Sequence, residues 1–296
     1  MLLPESKLKI WTLAARPKTL WASISPVIIG TALAYEGGKA HWLSAFIALF
    51  GAILIQIGTN FANDYFDHTR GADTEDRLGP QRVTQAGLVT PTAMKIAFSA
   101  VFALAFISGL YLIWRCGWPI FIVGALSIIF GILYTAGPYP LGYKGLADLF
   151  VLIFFGPVAV GGTYYVQALE INPIVIIAGF SPGLISTAIL TVNNLRDIHT
   201  DKKAGKLTLA VRFGETFARF EYLLSLLVAC LIPIGLWLLT GDHFYSIASV
   251  FIFIMAAPAI KTIFSKIDGP ALNKALADTG KLLLLYSALF SVGWII

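Results

Sequence analysis

Two groups of acidic and amide side chains stand out in a 296-residue chain of which only 12% is charged. The first comprises Gln56, Asn60, Asn63, Asp64 and Asp67, followed by Asp73, Glu75 and Asp76. The second comprises Asn193, Asn194, Arg196, Asp197 and Asp201, followed by Lys202, Lys203, Lys206 and Arg212. From Asn60 the spacing is i, i+3, i+4, i+7, and Asn193, Asp197 and Asp201 stand at i, i+4, i+8, so each set predicts one stripe down a helix face. Carboxylates so placed repel one another. Magnesium binds through one or two carboxylates, keeps several waters and is completed by substrate phosphate oxygens. Two such clusters can therefore grip a diphosphate through divalent cations, with nearby Lys and Arg neutralising the rest of its charge. Asp73, Glu75 and Asp76 also read as an ordinary solvated helix end. The Asn/Asp stripes do not, because their asparagines continue up into an apolar run.

The surrounding elements must be membrane helices. Hydrophobic residues make up 57% of the chain, and about a quarter of a soluble domain is charged, twice the value here. That excludes a soluble enzyme, a disordered chain and a disulfide scaffold. Cys116 and Cys230 lie alone in apolar stretches, which removes a zinc site. Nine runs meet or approach the ~20 apolar residues needed to cross a bilayer: 19–35, 42–61, 93–114, 118–134, 149–166, 173–192, 222–240, 245–260 and 281–296. Pro26, Pro157, Pro182, Pro233 and Pro258 fall inside them, which membrane helices tolerate. With the N-terminus cytoplasmic, all of the 21 Lys and Arg except Lys39 and Arg115 fall inside, as the positive-inside rule requires. The net charge of +5 then sets orientation and implies no nucleic-acid partner. Ala32-Leu33-Ala34 resembles a signal-peptide cleavage site, but a retained anchor agrees better with this charge distribution. The expectation is an all-α polytopic bundle of nine transmembrane helices, a single domain over 1–296. Its two acidic segments, 133 residues apart, suggest a weak internal duplication.

At the residue level the acidic segments resemble a known family. Asn63-Asp64-Tyr65-Phe66-Asp67 matches the N-D-x-x-D motif of the UbiA superfamily of membrane prenyltransferases, and Asp197-Ile198-His199-Thr200-Asp201 matches its D-x-x-x-D motif. Both follow the expected helices, the second and sixth of nine, so the resemblance covers essentially the whole chain. Three further segments resemble the 1,4-dihydroxy-2-naphthoate branch. These are the loop from Gly79 to Gly87, Asn193 to Asp197 with the following Asp201 to Lys206, and Tyr139-Pro140-Leu141-Gly142-Tyr143. The 4-hydroxybenzoate branch carries a third acid four residues after the first motif; here that position is Gly71 and the next acid is Asp73, whose role stays open.

The resemblance implies electrophilic prenylation of an aromatic acid, 1,4-dihydroxy-2-naphthoate, by a polyprenyl diphosphate, with loss of CO₂. It assigns Mg²⁺ to Asp64, Asp67, Asp197 and Asp201, with Asn63 and Asn60 completing or orienting the ligand set. Arg16, Lys18, Arg82, Lys144 and Lys202 are candidates for the diphosphate, with Asn193 beside them. Gln81 and Gln85 are candidates for the aromatic acceptor, and the Tyr134 ring for the allylic cation. Plainer readings stand beside these: Arg16 and Lys18 as membrane anchors, Lys202, Lys203 and Lys206 as orientation charges, Gln81 and Gln85 as turn formers, Tyr134 as packing, and His199 as a bystander. The main rival is a transporter, but carriers place charged groups near mid-membrane, and here the span centres have none. A CDP-alcohol phosphotransferase would gather its acids on one segment, and 4-hydroxybenzoate, homogentisate or porphyrin acceptors remain open. The expected location is the bacterial inner (cytoplasmic) membrane. Prenyl chain length, the number of metal ions and a homo-oligomeric state are left open.

Overall fold

The computed structural model describes residues 6–71 and 78–296; Asp73, Glu75, Asp76 and Arg77 lie outside them. Helices account for the regular structure of the described residues. They are α1 (Lys7–Ala15), α2 (Trp21–Glu36), α3 (Trp42–Thr69), α4 (Pro91–Cys116), α5 (Trp118–Leu133), α6 (Ala147–Phe154), α7 (Pro157–Ala168), α8 (Pro173–Arg196), α9 (Ile198–Lys203), α10 (Leu209–Thr240), α11 (Phe251–Met255), α12 (Ala257–Ser265) and α13 (Gly269–Ile295). Among them are seven segments long and apolar enough to cross a membrane, namely α3, α4, the pair α6–α7, α8, α10, the stretch Phe244–Ser265 and α13. The chain is a multi-pass, all-helical protein. The other two expected spans form α2 and α5, of 16 residues each. At 1.5 Å per residue each is about 24 Å long, short of the ~30 Å hydrocarbon layer.

The helix ends follow local chemistry. Thr90, Asn172, Thr208 and Asp268 cap α4, α8, α10 and α13, each side chain accepting from the backbone N–H three residues on. Two of the five prolines start helices that follow a break: Pro157 opens α7 after Gly156, and Pro258 lies in the first turn of α12. Pro26, Pro182 and Pro233 sit inside continuous helices. The α6–α7 break is buried against α8. A Cβ on Gly183 would stand 2.4 Å from the Leu152 carbonyl oxygen, and one on Gly179 would stand 2.6 Å from Pro157 Cα. Only glycine lets the interrupted backbone come this close to α8, which keeps the break away from lipid.

Two cores hold the bundle. The larger joins α2, α8, α10 and α13 around fully buried Tyr222, Tyr286 and Phe290. The Tyr222 hydroxyl meets Thr279 Oγ1 at 2.9 Å, so burial of the phenol leaves no orphaned polar atom. The smaller core joins α3 to α4 through Phe61, Phe98 and Phe102. The register along α3 positions the site. Gly51 faces Ser108 and Gly58 faces Phe102, so α4 runs antiparallel to α3. Thr59 faces Gly131 and Asn63 bonds Thr135, so α5 runs parallel to it. Gly162 faces Val123, and the Val166 carbonyl lies by Cys116, so α7 runs antiparallel to α5.

Candidate active site

α3 carries Asn60, Asn63, Asp64 and Asp67 on one face, and all four are buried. The second stripe is not one helix: α8 ends at Arg196, Asp197 is its C-cap with φ −94° and ψ 9°, and α9 restarts the chain to carry Asp201. Asn193, Asp197 and Asp201 nevertheless line the same cavity as Asn60, Asn63 and Asp67.

Each carboxylate has distinct surroundings. Asp64 is 2% exposed and does not line the cavity; it accepts from the backbone N–H groups of Val83 (3.2 Å) and Thr84 (3.1 Å). It therefore anchors the Gly79–Gly87 loop against α3. Asp67 accepts from Arg82 Nη2 at 3.0 Å on one oxygen, and from the Tyr143 hydroxyl at 2.8 Å on the other. Lys206 Nζ stands 3.2 Å from that second oxygen and 4.8 Å above the Tyr143 ring. Two cations thus offset one buried anion, as burial demands. Across the cleft, Arg196 grips both oxygens of Asp197 at 2.8 and 2.5 Å, a bidentate pair. The same guanidinium donates to Asn193 Oδ1 and Asn273 Oδ1, each at 2.7 Å. Asn273 in turn donates to the Leu78 carbonyl at 3.0 Å, which ties α13 to the loop that Asp64 anchors.

The amides are positioning groups. Asn63 Oδ1 accepts from Thr135 at 2.9 Å. Asn60 donates to the Ala15 carbonyl (3.0 Å) and to Thr19 (3.1 Å), and Gln56 also reaches Thr19 at 3.4 Å. These bonds pin the link between α1 and α2, where Arg16 adopts the left-handed conformation (φ 53°) and its side chain lines the cavity.

Of the other sequence candidates, Arg82 and Tyr134 line the cavity. Lys18, Lys144, Lys202 and Gln81 are exposed and do not line it, and Gln85 is half-buried outside it. Lys144 sits over the Tyr139 ring at 5.5 Å instead. Lys206, read from sequence as an orientation charge, is the lysine that reaches the acidic centre, because Gly205 (φ +71°) turns the chain back after α9. Sequence reasoning also passed over Tyr143, Thr135 and Asn273. Tyr143 closes the Tyr139–Tyr143 motif; nothing in the spacing marks the other two. Asp148 escaped notice as well: it is 5% exposed, and neither of its oxygens has a hydrogen-bond partner among the described residues.

The acidic mouth and the mainly apolar space below it form one cavity of about 460 Å³. Phe130, Phe150 and Phe154 cluster just under Tyr134, with centroids 4.7–6.0 Å apart. Ile47, Leu112, Ile120 and Val166 line the end away from the acidic residues. Among the described residues no three His, Cys, Asp or Glu side chains form a ready-made metal cluster. The oxygen-rich pairs on opposite walls instead suit a hard cation that takes its remaining ligands from a substrate.

A helical membrane bundle with carboxylates and cations at the mouth of an apolar cavity defines a protein built to hold an amphiphile with an anionic head. The UbiA prenyltransferase family matches residues 23–287, and the chain belongs to that family. It is 39% identical over 300 residues to the 1,4-dihydroxy-2-naphthoate octaprenyltransferase of Escherichia coli (strain K12), covering 97% of this chain and 96% of that one. The Mycobacterium tuberculosis protein of the same name is also 39% identical, over 94% of both chains. Among solved structures, a UbiA homolog from Archaeoglobus fulgidus bound to GPP and Mg²⁺ superposes with a TM-score of 0.69 at 17% identity, covering 97% of this chain and all of that one. The apo UbiA homolog from Aeropyrum pernix K1 gives a TM-score of 0.70 at 15% identity, over 94% and 97% of the two chains.

Proposed function

We propose that this chain transfers a polyprenyl group from an allylic polyprenyl diphosphate to 1,4-dihydroxy-2-naphthoate, releasing diphosphate and CO₂ and giving a demethylmenaquinol in menaquinone synthesis. The observation that carries the proposal is the buried Asp67–Arg82–Lys206 and Asp197–Arg196 pairing at the mouth of a mainly apolar cavity. The names of the full-length relatives support the acceptor and the donor.

In this reading Asn63, Asp67, Asp197 and Asp201 hold Mg²⁺, and Asp64 shapes the loop above them. Bound there, Mg²⁺ supplies Lewis-acid stabilisation of the leaving diphosphate. Arg16, Arg82 and Lys206 bind the same oxygens as charge builds on them. The donor's C1–O bond breaks and its electron pair leaves with the diphosphate. The Tyr134 ring and the phenylalanines below it present π faces to the allylic cation and keep water away. The naphthoate ring carbon bearing the carboxylate forms the new C–C bond, and the carboxyl C–C bond then breaks, its pair restoring the aromatic ring. No proton need be removed from the ring carbon.

The whole chain, 1–296, acts as one transmembrane domain in this reading. It crosses the bilayer nine times, with α2 and α5 as the two short crossings and the N-terminus and acidic mouth cytoplasmic. The distribution of Lys and Arg supports that orientation, and the bacterial inner membrane is the proposed location. The test uses purified protein in detergent, 1,4-dihydroxy-2-naphthoate labelled with ¹⁴C in its carboxyl group and a polyprenyl diphosphate. Mg²⁺-dependent release of labelled CO₂, lost in Asp67→Ala and Asp197→Ala, is the expected result. Prenylation of 4-hydroxybenzoate without release from the naphthoate would overturn the acceptor, and inertness toward both acids would overturn the reaction.

A further inference from the structure

We propose that Gly51, Gly109, Gly124 and Gly162 form a ring across the cavity that long prenyl tails must thread, so that these four residues set how long a donor the enzyme accepts. The inference rests on the prenyl-transfer reading above. All four glycines line the cavity, one each from α3, α4, α5 and α7. The helix registers place them at one depth. Gly51 meets Ser108, the neighbour of Gly109, and Gly162 meets Val123, the neighbour of Gly124. The α3–α5 register seen at Asn63–Thr135 sets Ala52, next to Gly51, level with Gly124.

These glycines differ from the others facing neighbouring helices. A Cβ on Gly58 would stand 2.8 Å from the Phe102 ring, and one on Gly131 would stand 2.5 Å from Thr59 Oγ1, so those positions are glycine for packing. A Cβ on Gly109 or Gly124 would meet nothing within 4 Å, and one on Gly51 or Gly162 would find only an ordinary contact at 4.0 or 3.9 Å. Packing does not require a missing side chain there. Glycine in mid-helix costs roughly 1 kcal/mol relative to alanine, and four at one level leave a waist open toward the apolar stretch lined by Ile47, Leu112, Ile120 and Val166.

The depth of the ring says which donors reach it. Gly51 lies 12 residues before Asn63 on the same helix, about 18 Å at 1.5 Å per residue. An isoprene unit advances a chain by four bonds, about 5 Å extended, scaled from the ~3.6 Å that three backbone bonds cover. A geranyl tail ends well above the ring. A tail of about four units arrives at it, and an octaprenyl tail must pass through.

The experiment compares kcat/KM for geranyl and octaprenyl diphosphate, with 1,4-dihydroxy-2-naphthoate as acceptor, in wild type, Gly124→Leu, Gly109→Leu and Gly235→Leu. Gly235 also has open space around it but does not line the cavity, so it controls for helix effects. The ring variants are expected to lose at least about tenfold with the octaprenyl donor, the scale of overpacking a filled pocket. They should stay within about threefold of wild type with geranyl, and Gly235→Leu should match wild type with both. Undiminished octaprenyl turnover in both ring variants would overturn the proposal, as would equal loss of both donors in folded protein. A wild type inert with either donor would instead bring down the prenyl-transfer reading itself.

Discussion

Replacing Arg196 with methionine keeps most of the side-chain volume and removes the guanidinium. Arg196 and Asp197 are 1% and 7% exposed at their side chains, so the substitution leaves an anion in a dry site and strips a donor from both Asn193 and Asn273. Removing one partner of a buried pair costs about 3–5 kcal/mol, because the other charge stays behind uncompensated. At roughly 2–4 °C per kcal/mol for a chain of this order of size, the unfolding midpoint in detergent should fall by about 6–20 °C. The exposed pair Lys281–Asp278, 73% and 39% exposed, is the internal control: Lys281→Met should shift the midpoint by no more than about 4 °C, since surface pairs contribute ~0–1 kcal/mol. Asp197→Asn in the Arg196→Met background removes the stranded charge and should recover at least ~1 kcal/mol, a non-additivity expected only for residues in contact. A midpoint for Arg196→Met within 2 °C of wild type would refute the reasoning, and so would strict additivity in the double variant.

Lys206→Met should lower kcat/KM for the donor by about 10–100-fold, the usual cost of losing a group that orients a metal-binding carboxylate, whereas exposed Lys202→Met should stay near wild type; steady-state assays of the two settle which lysine serves the site. Thr135→Val strands the buried Asn63 Oδ1 and should destabilise by about 1–3 kcal/mol, read as a lower unfolding midpoint that Thr135→Ser restores. Gly183→Ala drives a Cβ into the Leu152 carbonyl and should cost about 1–3 kcal/mol, while Gly235→Ala, with room to spare, should be neutral or stabilising; fluorescence-detected gel filtration after a heating series would separate them.

The stripe on α3 was legible in the sequence because Asn60, Asn63, Asp64 and Asp67 obey the helical period without interruption. The second stripe misled in form. Asp197 takes C-cap angles without a glycine or proline to signal it, so the same spacing spans two helices and still delivers Asp197 and Asp201 to one cavity. The five span prolines could not be sorted from sequence, since what marks Pro157 as a break is the glycine bed on α8 that receives the interrupted backbone. The choice of lysine depended on a turn: Lys202 and Lys206 read alike in a basic run, and the Gly205 conformation carries only the latter back to Asp67. Asn273 was invisible for a plainer reason, being a lone amide on the last helix with no periodic partner. The Gly79–Gly87 loop, marked in the sequence by its resemblance, lies against α3, where the Arg82 side chain and the Val83 and Thr84 backbone, not Gln81 or Gln85, make the hydrogen bonds to Asp67 and Asp64.

The two ties on that loop differ in how far apart their partners lie along the chain. Asp64 meets Val83 and Thr84 across 19 and 20 residues, so during synthesis this half of the mouth has its partners as soon as α3 and the next few turns emerge. The Leu78 carbonyl waits for Asn273, 195 residues later, and Arg196 waits 77 residues for the same side chain. The entrance is thus templated early on one side and latched last on the other. A chain halted before α13 would carry a formed loop over an unlatched cleft, and the final helix completes the mouth as well as the bundle.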